Sequence, residues 1–254
     1  MKHLLNGSIA RVLLGVLALA AAVGLFSSCT QDRPPSVTRV LVFSKTDGFR
    51  HGTIESGLEV LKSIAQEEGY ELDHTEDAAH FAPAQLERYD ALLFLHTTGD
   101  LLTGSQESAL REYVEGGGGF VGIHAAADAE YDWPWYGELL GAYFSDHPAV
   151  QEATLHVASH SSLTEMVPNP WTLTDEWYNF TMVAEDLTVL LTVDESTYSG
   201  GTMGEDHPVS WHHPVGAGRS WYTGLGHTES VWGDQDFRAF LAAGIRYAMG
   251  LLES

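Results

Sequence analysis

Apolar positions along this chain follow two rhythms. Thr38–Ser44 (TRVLVFS) is an unbroken β-branched run, the pattern of a strand buried on both faces. After the polar loop KTDGFRHG, Ile54, Leu58, Leu61 and Ala65 recur at helical spacing up to Gly69, a C-terminal stop. Tyr70–His74 predicts a second strand, Ala84–Arg88 a short helix after Pro83, and Asp90–His96 (DALLFLH) another buried strand. Thr103–Glu115 predicts a helix with Leu110, Tyr113 and Val114 inward, ended by Gly116–Gly119, and Phe120–His124 (FVGIH) predicts a further strand. This alternation of strand and helix with short links predicts an α/β fold, an open, mostly parallel sheet with helices on both faces. The second half is less regular. Ala153–Ala158, Leu187–Val193, Val209–His212 and Arg219–Thr223 are strand-like, and a last helix runs from Asp234, an N-cap candidate, to Met249 with Phe237, Leu241, Ile245 and Ala248 on its apolar face.

The N-terminus follows neither rhythm. Lys2 and Arg11 are the only Lys or Arg before an apolar stretch, Val12–Phe26, that is short for a membrane span and lacks a basic flank, as in a signal peptide. Ser27 and Ser28 then precede Cys29, the only cysteine of the chain, in the manner of a lipoprotein cleavage box. The expected organisation is a signal peptide over 1–28, a lipid anchor on Cys29, a polar Pro-rich tether over 29–37 and one domain over 38–252. That places the protein in the cell envelope, outside the cytoplasm, held to a membrane by its anchor. With 35 acidic against 12 basic side chains, a net charge of −23, the surface repels nucleic acid. At 44% hydrophobic residues the chain is nonetheless a folding sequence.

In open parallel sheets ligands bind beyond the carboxyl ends of the strands. Asp47, Arg50 and His51 follow the first strand, His96, Thr98 and Asp100 follow DALLFLH, and His124 ends FVGIH. In GGGGFVGIHAAADAEYDW a buried strand turns sharply into small residues, the layout of a nucleophile elbow, with His124 in place of Ser or Cys and Asp128 four residues on. Further along come His147 beside Asp146, Asp175 and Glu176 before Trp177 and Tyr178, then Trp211, His212 and His213, and finally His227. Histidines and carboxylates in Trp/Tyr-rich loops suit either a divalent metal site or a sugar site. GGGGFVGIH follows a helix and precedes a strand, the reverse of a dinucleotide fingerprint, so no nucleotide cofactor is expected.

Laid out together, VLVFSKTDGFRHGTIESG, the TTGD turn, GGGGFVGIHAAAD, WPWYGELLGAYFSDHP, TDEWYNF, HPVSW and GRSWYTGLGHTESVW resemble the ThuA-like family, over Arg39 to Gly250. The resemblance implies a flavodoxin-like fold akin to class I glutamine amidotransferases. Those enzymes carry a Cys at the elbow; His124 here removes the glutaminase mechanism, which needs a thiolate. The resemblance also implies a role in sugar utilisation beside a sugar dehydrogenase partner. The leading expectation is action on a carbohydrate or 3-keto-sugar, with His124, Glu176 and His51 catalytic and Asp47, Arg50, Thr98, Asp175, Tyr178 and Trp211 binding substrate. His124, His147 and His227 are candidate ligands of a divalent metal such as Zn. A non-catalytic carbohydrate-binding lipoprotein is the alternative, and an acidic docking scaffold a third reading.

Overall fold

The computed structural model describes residues 37–254; the expected signal peptide, Cys29 and most of the tether lie outside the described residues. Thirteen strands and six α-helices follow in order: β1 (Arg39–Phe43), α1 (Ile54–Glu68), β2 (Glu71–Thr75), α2 (Pro83–Leu86), β3 (Ala91–Leu95), β4 (Thr98–Gly99), α3 (Gly104–Glu115), β5 (Gly119–Ile123), β6 (Asp128–Ala129), α4 (Pro134–Leu140), β7 (Ala142–Asp146), β8 (Gln151–Val157), β9 (Trp171–Asp175), β10 (Asn179–Met182), β11 (Thr188–Val193), β12 (Pro208–Val215), β13 (Gly218–Thr223), α5 (Glu229–Trp232) and α6 (Gln235–Ala248). None of these helices is long and apolar enough to cross a membrane.

Nine strands form one sheet in the order β2-β1-β3-β5-β13-β12-β11-β8-β9. From β2 through β13 neighbours are parallel; from β13 through β9 they are antiparallel. The expected open α/β sheet is therefore present, extended by an antiparallel wing. Successive residues on a strand point to opposite faces, and the parallel strands show it. Val40 and Val42, Leu93 and Leu95, Val121 and Ile123 join one apolar cluster with Ile54, Leu61, Phe237 and Ile245 of α1 and α6. Leu41 and Phe43, Leu92 and Phe94, and Phe120 join the other, with Leu110 of α3 and Tyr136 and Leu140 of α4. Both faces being covered explains why these strands read as continuous apolar runs.

Helix ends follow local chemistry. Gly69 closes α1 at φ 79, donating its N–H to Ala65, and the Asp234 carboxylate accepts N–H bonds from Asp236 and Phe237 to start α6. The 134–140 segment, which has no periodic signal, forms α4 because Pro134 stands at its first turn and Gly141 ends it at φ 102. The strands β7, β9 and β10 and the short α5 likewise had no sequence counterpart: their aromatic and polar residues follow no clean alternation.

A small second ladder ties the loops beyond the carboxyl ends of the parallel strands. Thr46 bridges Thr98, and β4 pairs in parallel with β6 through Thr98–Asp128 and Gly99–Ala129. The turns leaving β1, β3 and β5 are thereby locked side by side.

Candidate functional site

Each of four adjacent parallel strands delivers a histidine at its carboxyl end: His51 after β1, His96 after β3, His124 after β5 and His227 after β13. Two of these, His96 at φ 51 and His124 at φ 50, adopt the left-handed conformation, uncommon outside glycine. Such backbone conformations persist only where the surroundings impose them and concentrate at functional sites. At His124 the imposition is visible: Tyr222 donates its hydroxyl to the His124 carbonyl at 2.8 Å. Glu176 enters from the end of β9.

The donor atoms converge. One ligand atom from each of His51, His124, Glu176 and His227 falls within 4.8 Å of the others. His124 Nε2 is 3.3 Å from Glu176 Oε2, His227 Nδ1 is 3.1 Å from the same oxygen, and the two imidazole nitrogens are 3.2 Å apart. A tetrahedral zinc with bonds of about 2.05 Å requires ligand separations of about 3.3 Å, so this triangle is one face of such a polyhedron. His124 Nδ1 lies 2.7 Å from the Gly224 carbonyl, which only accepts. The ring therefore carries a proton on Nδ1, the usual outer support of a metal-bound imidazole, and points Nε2 inward. His51 Nδ1 is buried without a hydrogen-bond partner. The residues present fit a divalent cation of the zinc class.

The electrostatics agree. Burial pushes the Glu176 carboxyl up, but hydrogen bonds from His124 and His227 outweigh it and hold the group below the usual carboxylate range. The hydrogen bond to Glu176 raises His227. Burial, followed by the charges of His124 and His227, pushes His51 down to about 3, and burial lowers His96 well below an ordinary histidine. Histidines held neutral are the form that ligates metal. This carries a stability consequence for the metal-free protein. The unfolded chain protonates His51 near its ordinary 6.5 while the folded chain does not, so stability is full above that value and falls as pH drops from 6.5 towards 3. His227 has the opposite sign, since its raised value favours the fold at low pH and loses that contribution as pH rises through it. Urea unfolding of metal-free protein should show His51 contributing a loss of about 2 kcal/mol between pH 6.5 and about pH 5. A His51→Gln variant with an unchanged pH slope would refute this.

Of the residues singled out from sequence, His51, His124, Glu176 and His227 are brought together. His147 stands outside the triangle, 41% exposed, with Nδ1 3.0 Å from the other Glu176 oxygen, so it borders the ligand set rather than joining it. Tyr178 lies over His124 with ring centroids 4.2 Å apart. Thr98 donates its hydroxyl to the Phe49 carbonyl, and Phe49, 65% exposed, stands edge-on to His51 at 4.9 Å. Asp47 is exposed on the same loop and donates its backbone N–H to Thr98.

Three expectations are corrected. Arg50 points away to ion pairs with Glu55 and Glu76, both at 2.8 Å. Asp175 is fully buried and turned away from any open surface: its oxygens accept the backbone N–H groups of Gly226 at 2.8 Å and Thr228 at 3.0 Å, fixing the turn that carries His227. Trp211 is fully buried in the α3/α4 cluster, its indole N–H donated to the Leu140 carbonyl. Asp175→Ala should therefore act through position alone, lowering zinc affinity by about 10- to 100-fold as loss of an outer support does. Chelator competition measures it, and an unaltered affinity would exclude the role. His96 belongs to the site's surroundings, stacked on His51 at 4.8 Å and 18°. Its position at a strand end was the sequence signal for it.

The family model described as ThuA, trehalose utilisation, matches residues 39–248. Among curated proteins none matches significantly. A ThuA-like protein from Bacteroides uniformis is similar in structure at TM-score 0.70 and 22% identity, covering 86% of this chain and 94% of that one. One from Parabacteroides merdae gives TM-score 0.72 at 19% identity, covering 86% and 92%. A β-galactosidase from Bacillus circulans matches over 84% of this chain but 31% of its own, at TM-score 0.56 and 13% identity. At these identities the likeness speaks for the fold.

Proposed function

Starting from the fact that this chain belongs to the ThuA family of trehalose utilisation, we propose that it is an envelope-anchored protein that binds a sugar or 3-keto-sugar at the His51/His124/Glu176/His227 cluster and acts on it by acid–base chemistry without a covalent nucleophile. The observation that carries this reading is the convergence of those four side chains, three of them from separate parallel strand ends, on one point. Glu176, His124 and His227 would hold a divalent cation, with His51 nearest to the remaining position. Such an ion polarises a carbonyl and acidifies a bound water.

The chain's own groups supply the rest. A 3-keto group acidifies the adjacent C–H, so a positioned base can take that proton as the bond to the glycosidic oxygen on the next carbon breaks, the departing oxygen taking up a proton. His147, at the solvent edge and within hydrogen-bond distance of Glu176, is placed to move that proton. Half-buried Phe144 and exposed Phe49 offer aromatic surface, with buried Tyr178 packed behind Phe144 at 4.3 Å. The only cysteine is Cys29, far from the elbow in sequence, so thiolate chemistry is left out.

The deciding experiment pairs metal analysis with turnover of 3-keto-glycosides. The parent protein should retain about one zinc per chain and convert the keto-glycoside. His124→Ala and Glu176→Ala should lose both. Equal turnover by parent and variants would overturn the reading, and binding without product would leave a carbohydrate-binding protein instead.

A further inference from the structure

Antiparallel neighbours such as β11 and β12 need only about two to five residues to join them. Here residues 194–207 intervene, and they close on a His/Glu pair that the cluster does not use. Glu195 Oε1 accepts the N–H groups of Met203 at 2.7 Å and Gly204 at 3.0 Å and lies 2.9 Å from His207 Nδ1. His207 is fully buried, with the Tyr198 hydroxyl 3.0 Å from the same ring nitrogen. Its other nitrogen, Nε2, faces the Tyr178 carbonyl at 2.8 Å. A carbonyl only accepts, so Nε2 carries a proton and donates it. Neither His207 nor Glu195 belongs to the ligand set.

The residue that His207 holds stands beside the ligand set. Tyr178 follows Glu176 by two positions and lies over His124 with ring centroids 4.2 Å apart. Asn179, the next residue, is buried and joins the same connection to the His147 segment. Its Nδ2 donates to Asp146 Oδ1 at 2.7 Å and to the Gly200 carbonyl at 3.1 Å, and its Oδ1 accepts the Thr202 N–H at 3.0 Å. Gln151 brackets Ser199, Nε2 donating to its carbonyl and Oε1 accepting its N–H, both at 2.9 Å. At Gly200 a Cβ would stand 2.6 Å from Pro148 Cβ, so the connection runs hard against the turn after His147. It therefore grips both segments whose side chains meet at Glu176 Oε1 and His147 Nδ1, 3.0 Å apart. A buried polar network with its partners satisfied rigidifies what it joins.

We propose that the 194–207 connection is a brace for the cluster, in which His207 and Glu195 are positioning residues that act through the Tyr178 carbonyl to set Glu176 against His124 and His227. The inference rests on the reading of the cluster as a cation site and names the residues that fix its carboxylate ligand.

Three measurements on full-chain protein test it: zinc affinity by chelator competition, the visible absorption of cobalt-loaded protein, and the imidazole nitrogen-15 signals of His124 and His227 in metal-free protein at one pH. His207→Gln and Glu195→Gln should each weaken zinc about 10- to 100-fold, as loss of an outer support does, and should move the cobalt bands and both imidazole signals. Gln151→Ala, which leaves the buried pair intact and releases Ser199, should give a smaller change of the same kind, and it carries the test should a buried-pair variant fail to fold. Ile245→Val in the α1/α6 cluster should lower the melting temperature and leave all three readings at parental values. Variants that lose melting temperature while keeping parental zinc affinity, cobalt bands and imidazole signals would make the connection a stabilising loop only and overturn the brace. A parent that binds neither zinc nor cobalt overturns the cation reading instead. The metal-free imidazole signals then decide the brace alone: displaced signals in the variants support it, and parental signals overturn it.

Discussion

Glu176→Ala should reduce zinc affinity by more than about 100-fold, beyond what loss of an outer support produces. The carboxylate is the hub of the cluster: Oε2 meets His124 and His227, and Oε1 meets His147. Removing it takes away the only negative charge in the ligand set and leaves the imidazoles of His51, His124 and His227 alone to hold a dication. Glu176→Gln separates charge from shape, since the amide keeps the size and loses the charge. Chelator competition should place it between parent and Glu176→Ala. The unfolding midpoint of metal-free Glu176→Ala should fall below that of the metal-free parent at neutral pH, because the fold holds this buried carboxylate ionised through hydrogen bonds that the unfolded chain lacks. If both variants bound zinc as the parent does, the cluster would be a hydrogen-bonded array and not a metal centre.

Trp211→Ala should be the most destabilising single change among the residues that the sequence pattern offered as substrate contacts. The ring is fully buried, packs on Tyr222 at 4.6 Å and Phe180 at 5.2 Å, and satisfies the Leu140 carbonyl at 2.7 Å. Truncation of a buried Trp costs about 3–5 kcal/mol, and the orphaned carbonyl adds about 1–3 kcal/mol. Denaturant unfolding reads the loss. Trp211→Phe restores part of the packing but not the hydrogen bond, so it should fall between parent and alanine in stability while zinc affinity stays at the parental value. A tryptophan that contacted ligand would give the reverse pattern: changed ligand affinity with little loss of stability.

The contrast between these two residues shows what a linear reading can reach. The strands β1, β3 and β5 were legible because burial on both faces forces continuous apolar runs, and the helices between them because one-sided burial forces a 3.6-residue period. His96 and His124 were legible as a rim because each is the first polar group after a buried strand, and His51 because it closes the polar loop that follows β1. The antiparallel wing was less so, since short strands such as β9 and β10 carry aromatic and polar residues whose burial comes from distant partners.

Trp211 and Asp175 were misplaced because residue type does not reveal orientation. An indole in a His-rich segment has the same letters whether it faces a ligand or a core. Asp175 and Glu176 are neighbours in sequence, yet one caps the turn at 226–228 and the other meets His124 and His227. Strand alternation sends consecutive side chains to different environments.

By itself, then, the sequence determined the open parallel sheet, the carboxyl-end location of the site, the strong negative charge and the absence of a thiol at the elbow, because each follows from local periodicity or from composition. Only the tertiary structure decided which histidines share a point, that Glu176 completes them, and that His207 bonds to the Tyr178 carbonyl. Those depend on contacts between residues as far apart as 51 and 227, and it is chain crossing, strand register and strand curvature, not spacing in sequence, that set such distances.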